Sequence, residues 1–250
     1  MKVDLAFSPN DLTGEKTFGG ALVIDILRAT SVMVTLLAGG APKVLLAKDV
    51  VQAKSLKEEL GEGWYTSGAR FGKKVDGFDY ANAMIEFDKA DLSERKFILS
   101  TTNGTGTIYL TWNFINTVLV GALLNATATA KGILDILEES GQDFLVILSG
   151  VRGKYTLDDA LTAGVILDRL AKMSPHCTFG DEARTCLLMA RGVQDLREEL
   201  RRSRTGQCLA EVGLIEEVDF TLQVDKYDMT VQVAEEDGLE GTLGLKPLVL

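Results

Sequence analysis

Ala21-Leu22-Val23-Ile24-Asp25-Ile26-Leu27-Arg28-Ala29-Thr30-Ser31 is an apolar run that stops at an acid and leads into an arginine and two hydroxyls. Uninterrupted apolar residues suit a strand buried on both faces, as in parallel sheets covered by helices. Similar runs recur at Val44-Leu45-Leu46-Ala47, Phe97-Ile98-Leu99, Val118-Leu119-Val120 and Phe144-Leu145-Val146-Ile147-Leu148. Between them, Val50 to Leu60, Ala126 to Glu139, Leu157 to Lys172 and Gly180 to Arg202 have helical spacing. This rhythm predicts an α/β fold: a layered, mostly parallel or mixed sheet with helices on both faces. Val218 to Val224 and Met229 to Val233 alternate in polarity around Asp225-Lys226-Tyr227-Asp228, which predicts a hairpin at a sheet edge. Gly61 to Asp88 reads as a long irregular stretch of the kind that carries function. Residues 235–250, glycine-rich and acidic before Leu243, read as a peripheral tail to a domain spanning 1–234.

The chain has 250 residues, 46% hydrophobic and 25% charged, a composition that excludes a disordered or fibrous protein. With 26 basic against 36 acidic residues its net charge is -10, a field that repels nucleic acid and anionic membranes. A small anionic ligand then needs a pocket where arginines or a metal ion reverse the local sign. Cys177, Cys186 and Cys208 are odd in number and lack C-x-x-C spacing, which argues for a reducing compartment and against a disulfide framework. Asp4 stands where a signal peptide would be apolar, and the uncharged run Phe97 to Ala130 carries Asn103, Asn113, Asn116 and Asn125. The expected location is cytoplasmic. The reading admits a homodimer without requiring one.

In open α/β sheets ligands bind beyond the carboxyl ends of the strands. Asp25 at such an end can hold Mg²⁺ or act on a proton, and Arg28 can clamp a phosphate or sulfonate oxygen. An Asp25–Arg28 ion pair with a Thr or Ser helix cap explains the same spacing. Leu27 stands where a haloacid-dehalogenase phosphatase would need its second Asp. Ser100-Thr101-Thr102-Asn103-Gly104-Thr105 follows another strand with hydroxyls, an amide and a glycine, the chemistry of an oxyanion site at a helix start. No Gly-Lys-Ser/Thr follows, so it is not a Walker A loop; a capped polar turn is the alternative. Ser149-Gly150-Val151-Arg152-Gly153-Lys154 is a third such turn. Beyond it Thr156 and Asp159 stand at capping-box spacing, while Asn125 and Asp181 each open a helix. His176, the sole histidine, has no partner pattern for a triad, and the Arg197 to Arg204 cluster, interleaved with glutamates, reads as a solvated helix face.

With these turns quoted, the chain resembles the 2-phosphosulfolactate phosphatase (ComB) family from about Asp4 to Val233. Asp25-Ile26-Leu27-Arg28-Ala29-Thr30-Ser31 is similar to its D-V-L-R-A-T-S, and Gly77-Phe78-Asp79 with Asn82 to its G-F-D-x-G-N. Thr101-Thr102-Asn103-Gly104-Thr105 matches its T-T-N-G-T; Asn125-Ala126 and Asp159 with Ala163-Gly164 fall in order behind. The resemblance implies a ComB-like fold and Mg²⁺-dependent hydrolysis of 2-phosphosulfolactate to sulfolactate and phosphate, as in coenzyme M biosynthesis. Asp25, Arg28 and Asn103 are then the expected catalytic residues. Arg70, Thr101, Thr102, Gly104, Thr105, Asn125 and Arg152 are expected around the substrate. Since Mg²⁺ prefers carboxylates and waters, Asp25, Asp159 and Asp181 are the expected ligands.

The chain also departs from the family pattern. G-E-R-x-G becomes Gly68-Ala69-Arg70-Phe71-Gly72, G-N-S-P becomes Ala81-Asn82-Ala83-Met84, and the arginine that commonly follows T-N-G-T is Gly106. Asp158 shortens the family's Glu. Two alternatives follow: a phosphatase for another small anionic phosphoester, or a catalytically silent anion-binding protein.

Overall fold

Strands and helices alternate from the first residues onward. The structure, a computed structural model, describes all residues except Glu15, Phe71, Val249 and Leu250. Phe71 of the Gly68–Gly72 motif and the last two residues of the tail therefore lie outside the described residues. The first half of the chain holds β1 (Lys2–Ala6), β2 (Gly20–Ile24), α1 (Ala29–Ala38), β3 (Val44–Leu46), α2 (Val50–Leu60) and β4 (Trp64–Ser67). It continues with β5 (Ala69–Arg70), β6 (Lys73–Lys74), α3 (Met84–Lys89), β7 (Lys96–Leu99), α4 (Gly104–Trp112) and β8 (Val118–Gly121). Then come α5 (Ala126–Ser140), β9 (Phe144–Leu148), α6 (Leu157–Met173), β10 (Thr178–Phe179) and α7 (Asp181–Gly192). The chain closes with α8 (Leu196–Arg202), α9 (Arg204–Glu211), α10 (Ile215–Thr221), β11 (Val231–Glu235) and β12 (Leu243–Pro247).

Local chemistry sets several of these boundaries. The Asp49 carboxylate accepts from the Gln52 amide at 2.8 Å and so opens α2. Gly141, at φ 65°, closes α5 in the left-handed conformation that glycine adopts without a Cβ clash.

Ten strands form one mixed sheet in the order β10-β1-β9-β2-β8-β11-β12-β3-β7-β4. The strands from β10 to β8 are mutually parallel, as are β3, β7 and β4. The antiparallel pair β11–β12 joins the two groups, so the ladder runs them in opposite directions. The turns that follow β2 and β7 nonetheless meet, since the Gly104 amide after β7 donates to the Asp25 carboxylate after β2.

Both faces of the sheet are covered. One carries Met33, Leu36, Phe87, Phe97 and Ile108 beneath α1, α3 and α4. The other carries Ile24, Ile133, Val146, Ile166 and Leu167 beneath α5 and α6.

Four expectations need correction. The edge hairpin does not form, because Ile215–Thr221 is α10 and its buried residues Glu217, Val218, Phe220 and Thr221 follow helical spacing rather than alternation. The segment 235–250 is not a peripheral tail, since Leu243–Pro247 is an interior strand bonded to β11 and β3. Gly61 to Asp88 is not uniformly irregular: it supplies edge strand β4, the small β5–β6 ribbon and α3. The helix expected over Gly180 to Arg202 is two helices, α7 and α8, with Asp195 accepting from the Glu198 amide to start the second.

Candidate active site

Beyond Ile24 the chain turns into α1 through Asp25-Ile26-Leu27-Arg28, with a cis Leu27–Arg28 peptide. The Asp25 carboxylate accepts from the amides of Ala29 and Gly104, the first residues of α1 and α4. Two helix starts thus converge on one acid, where their partial positive charge favours an anion. A Cβ at residue 104 would lie 2.5 Å from the Ala29 Cβ and 3.0 Å from Asp25 Oδ2, so glycine is what permits this approach. Burial nevertheless dominates. Opposed by the Ala29 amide and reinforced by the nearby Asp158 charge, it lifts the Asp25 pKa to about 7.

Arg28, also buried, makes no ion pair with Asp25 among the described residues, contrary to the ion-pair explanation of their spacing. Its Nη1 donates to the Asn82 carbonyl at 2.6 Å and its Nη2 to the Gly72 carbonyl at 3.3 Å. Behind it the Glu217 carboxylate accepts from the Met84 and Ile85 amides at 3.0 and 3.4 Å. Burial raises the Glu217 pKa, and the Arg28 charge works against that rise. Thr30 Oγ1 accepts from the Asp25 amide and the Ser31 hydroxyl donates to the Ile26 carbonyl, so both hydroxyls serve the turn.

Asp159 ties two strand ends together. Its Oδ1 accepts from the Ile26 amide at 2.9 Å, and its Oδ2 from the Gly150 amide at 2.9 Å and the Thr156 hydroxyl at 3.0 Å. The capping-box spacing was the visible trace of this arrangement, but the donors come mainly from the β2 and β9 turns. Burial, with the Asp158 and Asp25 charges adding to it, raises the Asp159 pKa well above the carboxylate range. Burial also raises that of Asp158, against the Ser203, Thr205 and Thr156 hydroxyls. Asp158 Oδ1 has no hydrogen-bond partner. In the third turn Gly150 sits at φ 57°, and a Cβ there would lie 2.1 Å from the Lys154 carbonyl oxygen.

These turns enclose a cleft of about 380 Å³. Asp25, Arg28, Thr101, Thr102, Asn103, Arg152, Asp158 and Asp159 line its strand-end side, and Arg204, Thr205, Cys208 and Val212, on and just after α9, line the facing wall. Seven of the sequence-predicted site residues are therefore brought together: Asp25, Arg28, Thr101, Thr102, Asn103, Arg152 and Asp159.

The others stand elsewhere or act indirectly. Gly104 and Thr105 lie behind the cleft; Gly104 donates to Asp25, and Thr105 exchanges hydrogen bonds with Thr101. Arg70 flanks the cleft, its Nη1 on the Ser100 carbonyl and Thr102 Oγ1 at 3.5 and 3.4 Å. Asn125 is fully buried and structural, accepting from the Ala122 amide and donating to the Met229 carbonyl, both at 2.9 Å. Asp181 is exposed at the start of α7 and does not join Asp25 and Asp159. His176 is exposed and away from the cleft.

Sequence reasoning missed Asp158 as a cleft acid and Arg204, Thr205 and Cys208 as lining. Ser203-Arg204-Thr205-Gly206 repeats the hydroxyl, cation and glycine chemistry of the other turns, and that signal lay within a cluster read as solvated surface. Arg201 and Arg202 fit the solvated reading, pairing with Asp219 and Glu198, but Arg204 does not.

Among the described residues no group of three or more His, Cys, Asp or Glu side chains forms a ready-made chelate. Mg²⁺ does not require one, since it commonly rests on one or two carboxylates plus waters and substrate oxygens. The unpartnered Asp158 oxygen, beside Asp25 in a cleft whose nearest arginine is tied to carbonyls, fits such a hard cation. Asp159 has both oxygens engaged and fits less well.

Fold and cleft together define an α/β protein with an acid-floored, arginine-bearing anion pocket at converging strand ends. The chain belongs to the 2-phosphosulpholactate phosphatase family, whose sequence model matches residues 6–236. It is similar to a protein of Clostridium novyi (strain NT) named probable 2-phosphosulfolactate phosphatase, 30% identical over 230 residues, covering 92% of this chain and 95% of the relative. A Deinococcus radiodurans protein of the same name is 35% identical over 204 residues, covering 82% and 83% of the two chains. Another from Clostridium perfringens (strain 13 / Type A) is 31% identical over 236 residues, with 93% of each covered.

Proposed function

We propose that this chain hydrolyses the phosphate monoester of 2-phosphosulfolactate, releasing sulfolactate and inorganic phosphate with the help of Mg²⁺, the step that coenzyme M biosynthesis requires. The observation that carries the reading is Asp25, a buried carboxyl with a pKa of about 7, placed between two helix starts on the floor of the cleft. Membership of the family and the names of its relatives support the substrate class.

In this reading Asn103 and the opening turn of α4 orient the phosphoryl oxygens, and Arg28, its guanidinium fixed by the Asn82 and Gly72 carbonyls, faces the charge that develops on them. Asp25 takes the proton of the attacking water as the P–O ester bond breaks; the departing alkoxide takes a proton from solvent water to leave as the alcohol, and Asp25 returns its own proton to solvent. Asp159 is a positioning residue that fixes the Ile26 and Gly150 turns. Asp158 and Asp25 would hold Mg²⁺, which when bound neutralises phosphoryl charge and readies water.

Phosphate release from the purified protein is the direct test, with 2-phosphosulfolactate and a panel of phosphocarboxylates, each with Mg²⁺ and with chelator. Mg²⁺-dependent release favouring the sulfonated ester is expected. Release favouring another ester would move the substrate and keep the chemistry. No release from any ester by folded, Mg²⁺-loaded protein would refute the reading in favour of a silent anion-binding protein.

A further inference from the structure

The cleft has two unlike sides. Its strand-end side carries three carboxylates and the turns that suit a phosphoryl group, and its other wall is largely α9. The arginines differ in how far they are committed. Arg28 is held at the phosphoryl end by the carbonyls of Asn82 and Gly72, and Arg70 lies on the Ser100–Thr102 turn. Arg204 lines the cleft from an exposed position and makes no hydrogen bond or ion pair among the described residues.

Its place in the helix adds to this. Arg204 is the first residue of α9, where a cation opposes the helix dipole, and no acid in that turn compensates it. The charge therefore does nothing for the helix. The next residue, Thr205, also lines the cleft, its hydroxyl beside the Asp158 carboxylate.

The wall that carries these groups is fixed in place. The Ser203 hydroxyl caps α9 by accepting from the Gly206 amide at 3.0 Å. At the far end Val212 packs on Gly72 so closely that a Cβ there would lie 2.8 Å from its Cγ2. Gly72 in turn receives Arg28, so α9 keeps a set distance from the catalytic turns.

From these observations we infer that Arg204 and Thr205 form a second anion subsite, which binds the sulfonate or carboxylate group that the substrate carries in addition to its phosphate. The inference rests on the phosphatase reading of the same cleft and deepens it: α9 sets specificity for phosphoesters that carry a further anionic group over simple ones. Arg204 is a specificity-determining residue, and the phosphate end does not depend on it.

The test compares wild type with Arg204→Gln and Arg204→Lys on 2-phosphosulfolactate, 2-phospholactate and phenyl phosphate, all with Mg²⁺. Loss of one charge-assisted hydrogen bond predicts a fall in kcat/KM of roughly ten- to a hundredfold for 2-phosphosulfolactate and 2-phospholactate with Arg204→Gln, mostly through KM. Phenyl phosphate should change less than about twofold on the same ground, and Lys should restore part of the loss. Equal losses on all three esters, or no loss on any, would overturn the subsite. Calorimetric binding of sulfolactate, which carries no phosphate, is read separately: wild type should bind it, and Arg204→Gln about tenfold more weakly or worse. If wild type releases no phosphate but this difference in binding holds, the hydrolytic reading fails and the subsite stands. If sulfolactate binding is absent from wild type or unchanged by the substitution, the subsite falls whatever the turnover.

Discussion

The amide of Gly104 donates to the carboxylate of Asp25, so residues from the two oppositely running halves of the sheet share one hydrogen bond at the floor of the cleft. Gly104→Ala would place a methyl group 3.0 Å from Asp25 Oδ2 and 2.5 Å from the Ala29 Cβ. Overpacking of this kind costs about 1–3 kcal/mol. The variant should lose that much stability in urea, and phosphate release should fall at least tenfold because Asp25 is displaced. A variant with wild-type turnover would show that the Gly104 contact does not position Asp25.

Asp25→Asn keeps an acceptor for one of the two helix-start amides while removing the ionisable group. The proposed mechanism predicts a loss of kcat on the order of a hundredfold or more, as for other positioned proton acceptors. Because no ion pair binds Asp25 to Arg28, the melting temperature should hold or rise when a strained buried charge is removed. A large fall in melting temperature with activity preserved would assign Asp25 a structural role instead.

The pH dependence of stability carries a definite sign. Burial raises the Asp25 pKa from 3.8 to about 7, so between those values the folded state binds more protons than the unfolded chain. Stability in chelator should therefore fall as pH rises from about 4 towards 7 and level off above that. Asp158 and Asp159, also raised by burial, push in the same direction. Melting curves in chelator from pH 5 to pH 8 are the measurement, and Asp25→Asn should flatten the slope. An upward slope in wild type would contradict the assignment.

Thiol labelling reports directly on the cleft. Cys177 and Cys186 are buried, and burial pushes the Cys186 thiol up to about 12, while Cys208 is exposed and lines the cleft. One equivalent of a maleimide should react quickly with native protein, peptide mapping should place it on Cys208, and sulfolactate should slow it. Labelling at full rate in saturating sulfolactate would place the ligand elsewhere.

Much of the fold was legible because its strands are short apolar runs with polar ends. Val50–Leu60 and Phe144–Leu148 occupy the segments their patterns predict. The α10 segment was misread because Glu217, a buried acid held by the Met84 and Ile85 amides, looks like the polar position of an alternating strand. At the site, each motif announced the turn that holds it, and Asp25, Arg28, Asn103, Arg152 and Asp159 do line one cleft. Asn125 and Asp181 were out of reach of such reasoning. An amide or an acid before a helix looks the same whether it faces a ligand, a backbone carbonyl or water. Arg204 was hidden among arginines that pair on the surface, since only the packing of α9 against Gly72 turns it inward.

The β11–β12 pair has a consequence for how the protein is made. Every residue that lines the cleft precedes Val231, yet the strand groups carrying Asp25 and Asn103 are joined through Val231–Pro247. During synthesis both halves leave the ribosome before the strands that unite them. Ribosome-stalled chains ending before Leu243 lack the strand that bonds β3 to β11, and should bind sulfolactate more weakly than the full chain however well their early helices have formed.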